Sequence, residues 1–296
     1  MTKMKKYRLR YLSCFFTALM VYASISAQSF QAHRGGRGVM PENTIEAMKY
    51  AIGINEVTTL EMDLCVSKDK KIVVSHDVYF HSDITTSPAG NYLTKAEQQK
   101  FLLYSMTYDS ICKYDVGLKP HPEFPLQKKF RAVKPLLSDL IDSCEKFARL
   151  KHRKIRYNLE IKSRSDGDGS MHPPVEEFVD LVVKILNEKK ILKRTNIQSF
   201  DVRPLQVIHR KYPKVTLALL VGKNAALLDE NLTKLGFVPQ IYCPEYKTVT
   251  PELIANCHRR NMKIIAWTPN TKEEINTLLQ SGVDGIITDF PEFFKK

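Results

Sequence analysis

The sequence predicts a (β/α)8 TIM barrel of the α/β class, with an insertion over its catalytic mouth. Short apolar runs alternate with amphipathic helical runs along most of the chain, the pattern of a parallel sheet. The 296 residues, 43% hydrophobic and 26% charged, suit one large globular domain with a substantial core. No Gly/Ser/Pro tract and no repeat at solenoid spacing divides the chain.

Residues 1–28 stand apart from that fold. Lys3, Lys5, Lys6, Arg8 and Arg10 form a basic start, an uncharged run extends from Tyr11 to Ile25, and small residues surround Ala27. This is the layout of a secretory signal peptide. The uncharged run is about 15 residues, shorter than the roughly 20 that a membrane span requires. The expectation is a periplasmic or secreted protein, with membrane contact only through the leader or a lipid substrate. Without the leader, 40 basic residues face 32 acidic ones, a moderate +8 that favours anionic ligands or a solvated basic face. Zinc-finger spacing and basic stripes with interleaved aromatics are both missing, so nucleic-acid binding has no support. The five cysteines after the leader are odd in number and form no CxxC, which implies neither a disulfide framework nor a zinc site.

From residue 29 the barrel is expected to run to residue 296. Strand-like runs fall at 30–33, 57–65, 72–75, 155–161, 195–199, 215–221, 239–242, 262–267 and 284–288. Helical runs fall at 43–52, 136–150, 174–190, 201–211, 224–234, 251–261 and 271–281. The first helix is expected to take Asn43 as its N-cap, with Glu46 completing a capping box and Ala47, Met48, Ala51 and Ile52 forming its apolar face. Nine strands exceed a barrel by one. The gap between 57–65 and 72–75 is too short for a parallel crossover, so these two runs form a hairpin. With Asp69-Lys70 as the turn, Val66 pairs with Val73 and Asp63 falls opposite His76. Residues 80–134, rich in Tyr, Pro, Lys and Ser with a helical patch near 94–113, break the alternation. They are expected to be an insertion over the mouth, where long barrel loops serve binding.

The chemistry collects on strand tips. In "TTLEMDLCVS", Leu60, Met62 and Leu64 point to one face, and Glu61 and Asp63 to the other, into the barrel. In "RYNLEIKS", Asn158, Glu160 and Lys162 take the same inward face. Unpaired buried carboxylates are costly, and three that converge predict a hard divalent cation, Mg²⁺ or Ca²⁺, held by oxygen ligands. His33 ends the first strand and His76 the hairpin arm, positions suited to general acid and base work near neutral pH. Arg34 and Lys162 are cations near the same point, fit either for a phosphate or for ion pairs with the carboxylates. Trp267 closes a strand at the catalytic end, as a substrate wall or a packed core residue. His81, His121, Gln198 and Glu245 are further pocket candidates.

These pieces resemble the glycerophosphodiester phosphodiesterases, within the phospholipase C-like phosphodiesterase barrels. The matching segments are "HRG" at 33–35, "PENT" at 41–44, "EMD" at 61–63, "VVSHD" at 73–77, "LEIK" at 159–162, "QSFD" at 198–201, "AWTPN" at 266–270 and "DGIITDFP" at 284–291. Each is weak alone, but their order is highly specific. The resemblance implies a TIM barrel with an insertion after the "HD" segment. It implies Glu61, Asp63 and Glu160 as metal ligands, His33 and His76 as the acid/base pair, and Arg34 and Lys162 on the phosphate. It further implies cleavage of a small glycerophosphodiester to an alcohol and glycerol 3-phosphate, and the sequence leaves open which histidine is acid and which is base. Lys70 stands where the family often has glycine, which points to a different hairpin turn. A lipid-directed phosphodiesterase is a second reading, with Tyr92, Phe101, Tyr104, Tyr108 and Tyr114 as an apolar wall or as the insertion's own core. A non-catalytic phosphoester-binding barrel is disfavoured, since none of the proposed histidines or ligands is missing.

Overall fold

The computed structural model describes residues 28–295, so the expected leader, apart from Gln28, lies outside the described residues. Nine strands form one sheet: β1 (Ser29–Ala32), β2 (Thr59–Val66), β3 (Ile72–Val74), β4 (Arg156–Ile161), β5 (Thr195–Ser199), β6 (Thr216–Val221), β7 (Ile241–Pro244), β8 (Lys263–Trp267) and β9 (Gly285–Thr288). Eight run parallel in the order β1-β9-β8-β7-β6-β5-β4-β2, and a β1–β2 pairing closes the ring. The ninth, β3, lies antiparallel on β2 as the expected extra arm. The helices are α1 (Ile45–Ile52), α2 (Lys95–Gln98), α3 (Tyr108–Ile111), α4 (Leu137–Leu150), α5 (Val175–Glu188), α6 (Val202–Lys211), α7 (Leu228–Leu235), α8 (Pro251–Arg259) and α9 (Lys272–Ser281).

Strand alternation decides which side chains go where. Leu60, Met62 and Leu64 of β2 join Leu159 and Ile161 of β4 in the main core between barrel and helices, all 1% exposed or less. The opposite face of the same strands fills the barrel, and this filling is split. Ala218, Leu220, Ile241, Cys243, Ile265 and Ile287 make an apolar half from β6 to β9. The other half, from β1, β2, β4 and β5, is polar and hydrogen-bonded. Asn158 Nδ2 donates to Gln31 Oε1 and to Gln198 Oε1, both at 2.8 Å, and Gln198 Nε2 donates to Glu61 Oε1 at 2.9 Å. This chain of amides satisfies buried polar groups up to the level of the carboxylates.

The hairpin differs by one residue from its expected register. Val66 pairs with Ile72 and Cys65 with Val73, and Ser75 N donates to Asp63 O at 2.9 Å, so Asp63 faces Ser75 rather than His76. The loop is Lys68 to Lys70, closed by a Lys70 N to Ser67 O bond, with Lys70 at φ +58°. Lys70 therefore adopts the left-handed conformation itself, the geometry of a three-residue hairpin loop that usually employs glycine. Other boundaries also move: β7 lies two residues beyond its expected span, α7 starts at Leu228 rather than 224, and the patch at 94–113 contains only short turns, the one-turn helices α2 and α3 and a 3-10 turn at Leu103–Ser105.

The insertion has its own small core. Phe80, Ile84, Leu93, Leu103, Ile111 and Val116 are buried together, with Phe101, Tyr108 and Tyr114 packed against them. These three belong to the insertion's own core, one of the two expected alternatives, while Tyr104 packs on the barrel's core and Tyr92 is exposed. The insertion returns along β3: Val74 N donates to Pro135 O at 2.9 Å, and the buried Lys134 donates from Nζ to Ser75 Oγ at 2.8 Å.

The cap of α1 is Thr44, not Asn43. Thr44 Oγ1 accepts from Ala47 N at 3.1 Å, whereas Asn43 has φ +57° and directs its side chain into the barrel. Thr44→Ala is expected to cost about 1 kcal/mol of stability in denaturant unfolding, the ordinary worth of an N-cap. Asn43→Ala should leave α1 capped.

Candidate active site

The chain leaves β1 into a tight turn, His33–Gly35, where Arg34, Gly35 and Gly36 have φ of +49°, +81° and +98°. A Cβ on Gly35 would stand 2.8 Å from the carbonyl carbon of Ala47, so only glycine fits between this turn and α1. The turn aims the Arg34 N–H at Glu61 Oε2, 2.9 Å away. It also carries His33 across to the end of β9, where Nδ1 lies 2.5 Å from Asp289 Oδ1. Asn270 braces that carboxylate: its Nδ2 donates to Asp289 Oδ2 at 2.7 Å, and its Oδ1 accepts from Asp289 N at 3.0 Å. Burial lowers the pKa of His33 below its usual value, and Asp289, despite its own burial, is held at about 2 by the facing imidazole.

Glu61, Asp63 and Glu160 converge as expected, with ligand oxygens all within 4.8 Å of one another and every side chain buried. Parallel pairing sets Asp63 beside Glu160. Burial, reinforced by the Asp63 charge, raises the pKa of Glu61 and Glu160 above the usual carboxylate range. Asp63 goes the other way: burial is outweighed by Arg34, His76 and Lys162, and it stays ionised. Arg34 Nε is 3.3 Å from Asp63 Oδ2, Lys162 Nζ is 2.7 Å from Glu160 Oε1, and Asn43 Nδ2 donates to Asp63 Oδ2 at 2.9 Å. Asp63 Oδ1 is buried without a hydrogen-bond partner. An orphaned oxygen beside two carboxylates that resist ionisation is a donor set that fits a hard divalent cation.

The rest of the pocket, about 210 Å³, is walled by His33, Arg34, His76, Lys162, Gln198 and Trp267 among others. His76 follows β3, with Nδ1 3.2 Å from Asp77 Oδ1. Its loop is pinned through Ser75, whose Oγ accepts from Lys134 and donates to Asp77 O at 2.7 Å. Trp267 is wall and packing residue together: it lines the pocket, donates from Nε1 to Cys243 O at 2.9 Å, and meets Phe200 edge-on at 5.5 Å. Arg34 makes the expected ion pairs at the edge of the pocket. Its Nη1 donates to both oxygens of Glu42, at 3.0 and 2.9 Å, while the side chain borders the pocket.

All eight site residues expected from the sequence thus meet in one pocket or directly beneath it. Gln198 joins them, whereas His81 and His121 border a neighbouring cavity and Glu245 lines neither. Sequence reasoning gave no role to Asp289, Asn270, Asp77 or Arg37, and took Asn43 for a cap. Asp289 and Asn270 lie in segments quoted above as motifs; their roles depend on which strands meet at the barrel seam.

The sequence model of the glycerophosphoryl diester phosphodiesterase family matches residues 33–293, almost the whole barrel. The chain belongs to that family. Among its relatives, a glycerophosphodiester phosphodiesterase of Caldanaerobacter subterraneus subsp. tengcongensis is 29% identical over 261 residues, covering 88% of this chain and 93% of the relative. A solved structure from Silicibacter pomeroyi DSS-3, named for the same activity, superposes with a TM-score of 0.80 at 30% identity, covering 92% of this chain and 93% of that one. An Oleispira antarctica phosphodiesterase, in complex with the product sn-glycerol-3-phosphate, superposes with a TM-score of 0.71 at 20% identity over 91% of this chain and 96% of its own. This family member is accordingly a glycerophosphodiester phosphodiesterase, a hydrolase, built on a closed eight-stranded parallel barrel.

If Asp289 orients His33, Asp289→Asn should lower kcat by roughly 10²-fold or more while KM changes little, by analogy with carboxylates that fix a catalytic imidazole. Asp289→Glu should restore part of the loss in steady-state assays.

Proposed function

We propose that the protein hydrolyses small glycerophosphodiesters to an alcohol and glycerol 3-phosphate, using a divalent cation and paired histidine acid/base catalysis. The observation that carries this reading is the meeting, in one pocket, of three buried carboxylates with two histidines, each with an aspartate at Nδ1. With Nδ1 so engaged, Nε2 of each ring is the atom available to the substrate. One imidazole takes the proton of the attacking glycerol 2-hydroxyl while the other protonates the departing alcohol oxygen, leaving a cyclic phosphate; with the two roles exchanged, the second ring then takes a proton from water as it attacks phosphorus and the first protonates the 2-oxygen as the cycle opens to glycerol 3-phosphate. Arg34 and Lys162 present positive charge to the phosphate. Glu61, Asp63 and Glu160 would hold the cation, Ca²⁺ or Mg²⁺, which when bound supplies further positive charge opposite the phosphoryl oxygens. The product held by the Oleispira antarctica neighbour supports the glycerol 3-phosphate end of the substrate.

We further propose that residues 1–28 direct export to the periplasm or medium; the basic start, uncharged run and small residues near Ala27 support this. N-terminal sequencing of protein expressed from the full gene should find a chain that begins near Gln28. Retention of the full chain, with Met1 intact, in the cytoplasm would contradict it.

The activity is tested by glycerol 3-phosphate release from glycerophosphocholine with Ca²⁺ or Mg²⁺, with EDTA, and with His33→Ala. Release should require the cation and vanish in the variant; release that survives both treatments would overturn the site assignment. Cation binding has an independent thermal readout. Glu61 and Glu160, with raised native pKa values, oppose folding at neutral pH, an effect relieved as pH falls through those values. A cation should therefore raise Tm at pH 7, and less so under acidic conditions. Glu61→Gln in EDTA should keep or raise Tm while abolishing the cation-induced increase.

A further inference from the structure

A second cavity of about 250 Å³ lies beside the catalytic pocket, between the barrel mouth and the insertion. Arg34, Arg37 and His76 form the wall common to both. The two spaces differ in charge. In the catalytic pocket Arg34, Arg37 and Lys162 face Glu61 and Glu160, with Asp63 directly beneath, so three cations stand against three carboxylates before any metal is bound. In the second cavity Arg34 and Arg37 face Glu42, Asp77, Asp83 and Glu123, an excess of carboxylates. Two of these are engaged by the catalytic architecture: Glu42 by Arg34 at 2.9 Å and Arg37 at 3.0 Å, and Asp77 by His76. The other two stand on the insertion with looser contacts. Asp83 Oδ2 is 3.8 Å from His81 Nδ1, and Glu123 Oε2 is 3.5 Å from Arg37 Nη2. His121, on the same wall, has a pKa lowered by burial and adds no opposing charge at pH 7.

On its other side the catalytic pocket shares Phe200 and Leu220 with a groove of about 310 Å³ whose lining includes Lys223 and Lys234 and no acidic residue. A glycerophosphodiester has one anionic centre and two arms. The glycerol arm is neutral and constant, and the alcohol arm varies. With the phosphate at Arg34 and Lys162, a positively charged alcohol is drawn toward the insertion and repelled from the lysine groove.

We propose that the insertion-side cavity receives the leaving alcohol, and that Asp83 and Glu123 make it selective for amino- or trimethylammonium-alcohols over neutral polyols. This rests on the phosphodiesterase reading above and adds the substrate class.

The test compares kcat/KM on glycerophosphocholine, glycerophosphoethanolamine and glycerophosphoglycerol for the wild-type protein and for the Asp83→Asn/Glu123→Gln double variant, with a saturating divalent cation. The wild type should favour the two cationic diesters. The double variant should lose about fivefold or more on them and less than about twofold on glycerophosphoglycerol, as expected for charges that steer a ligand from a solvated rim. Glu123→Gln alone, at a side chain 69% exposed, gives the same readout at about twofold should the pair unfold. An equal loss on all three diesters would place the constant glycerol arm in this cavity and overturn the proposal. An unchanged preference would remove the two carboxylates from selection and overturn it as well. Failure of the wild type to cleave any of the three would be a separate result, one that defeats the phosphodiesterase reading and the selectivity with it.

Discussion

Three carboxylates buried within 4.8 Å of one another are the constraint around which the rest of this barrel is arranged. Close burial of like charges is tolerated only where other groups offset it. Here the offset comes from several elements. Arg34 enters from the turn after β1, Lys162 from the end of β4, Asn43 from the residue before the α1 cap, and Gln198 from β5. The amides beneath extend the polar side of the barrel downward, and the apolar filling of β6 to β9 takes up the rest of the interior. Even so, the compensation is incomplete. Glu61 and Glu160 remain reluctant to ionise, and Asp63 Oδ1 remains unpartnered. The fold thus holds a residual electrostatic cost at the place where a cation has most to offer.

The two histidines repeat one arrangement with different rigidity. Each has an aspartate at Nδ1, but the His33 carboxylate is buried and braced by Asn270, whereas the Asp77 carboxylate is more exposed and its loop is fixed through backbone and hydroxyl contacts. His33 belongs to the closed seam of the barrel, between β1 and β9. His76 belongs to the loop that leads into the insertion. The pocket therefore lies across the join between the closed barrel and a segment with its own small core.

Much of this was legible in the sequence because strand periodicity is a local property. Glu61, Asp63 and Glu160 could be assigned to one interior from alternation alone, since Leu60, Met62, Leu64, Leu159 and Ile161 mark the other face. What escaped depended on choices between nearly equal neighbours or on long-range closure. Asn43 and Thr44 are both good capping residues, and sequence cannot tell which hydroxyl or amide takes the cap once the other is claimed by Asp63. Lys70 accepts a left-handed conformation that its type disfavours, and the hairpin register shifts with it. The role of Asp289 appears only when β9 docks beside β1, some 250 residues away along the chain.

The return of the insertion along β3 limits how such a protein can diversify. Lys134 and Pro135 tie the end of the insertion to the same short strand and serine that set the His76 loop. Exchanging the whole segment for another would disturb the His76 loop at the splice point. Changes confined to the outer loops, where Asp83 and Glu123 stand, leave that seam intact. New tastes in alcohol can accordingly arise by small edits at the rim, while wholesale replacement of the segment demands a matching repair at its root.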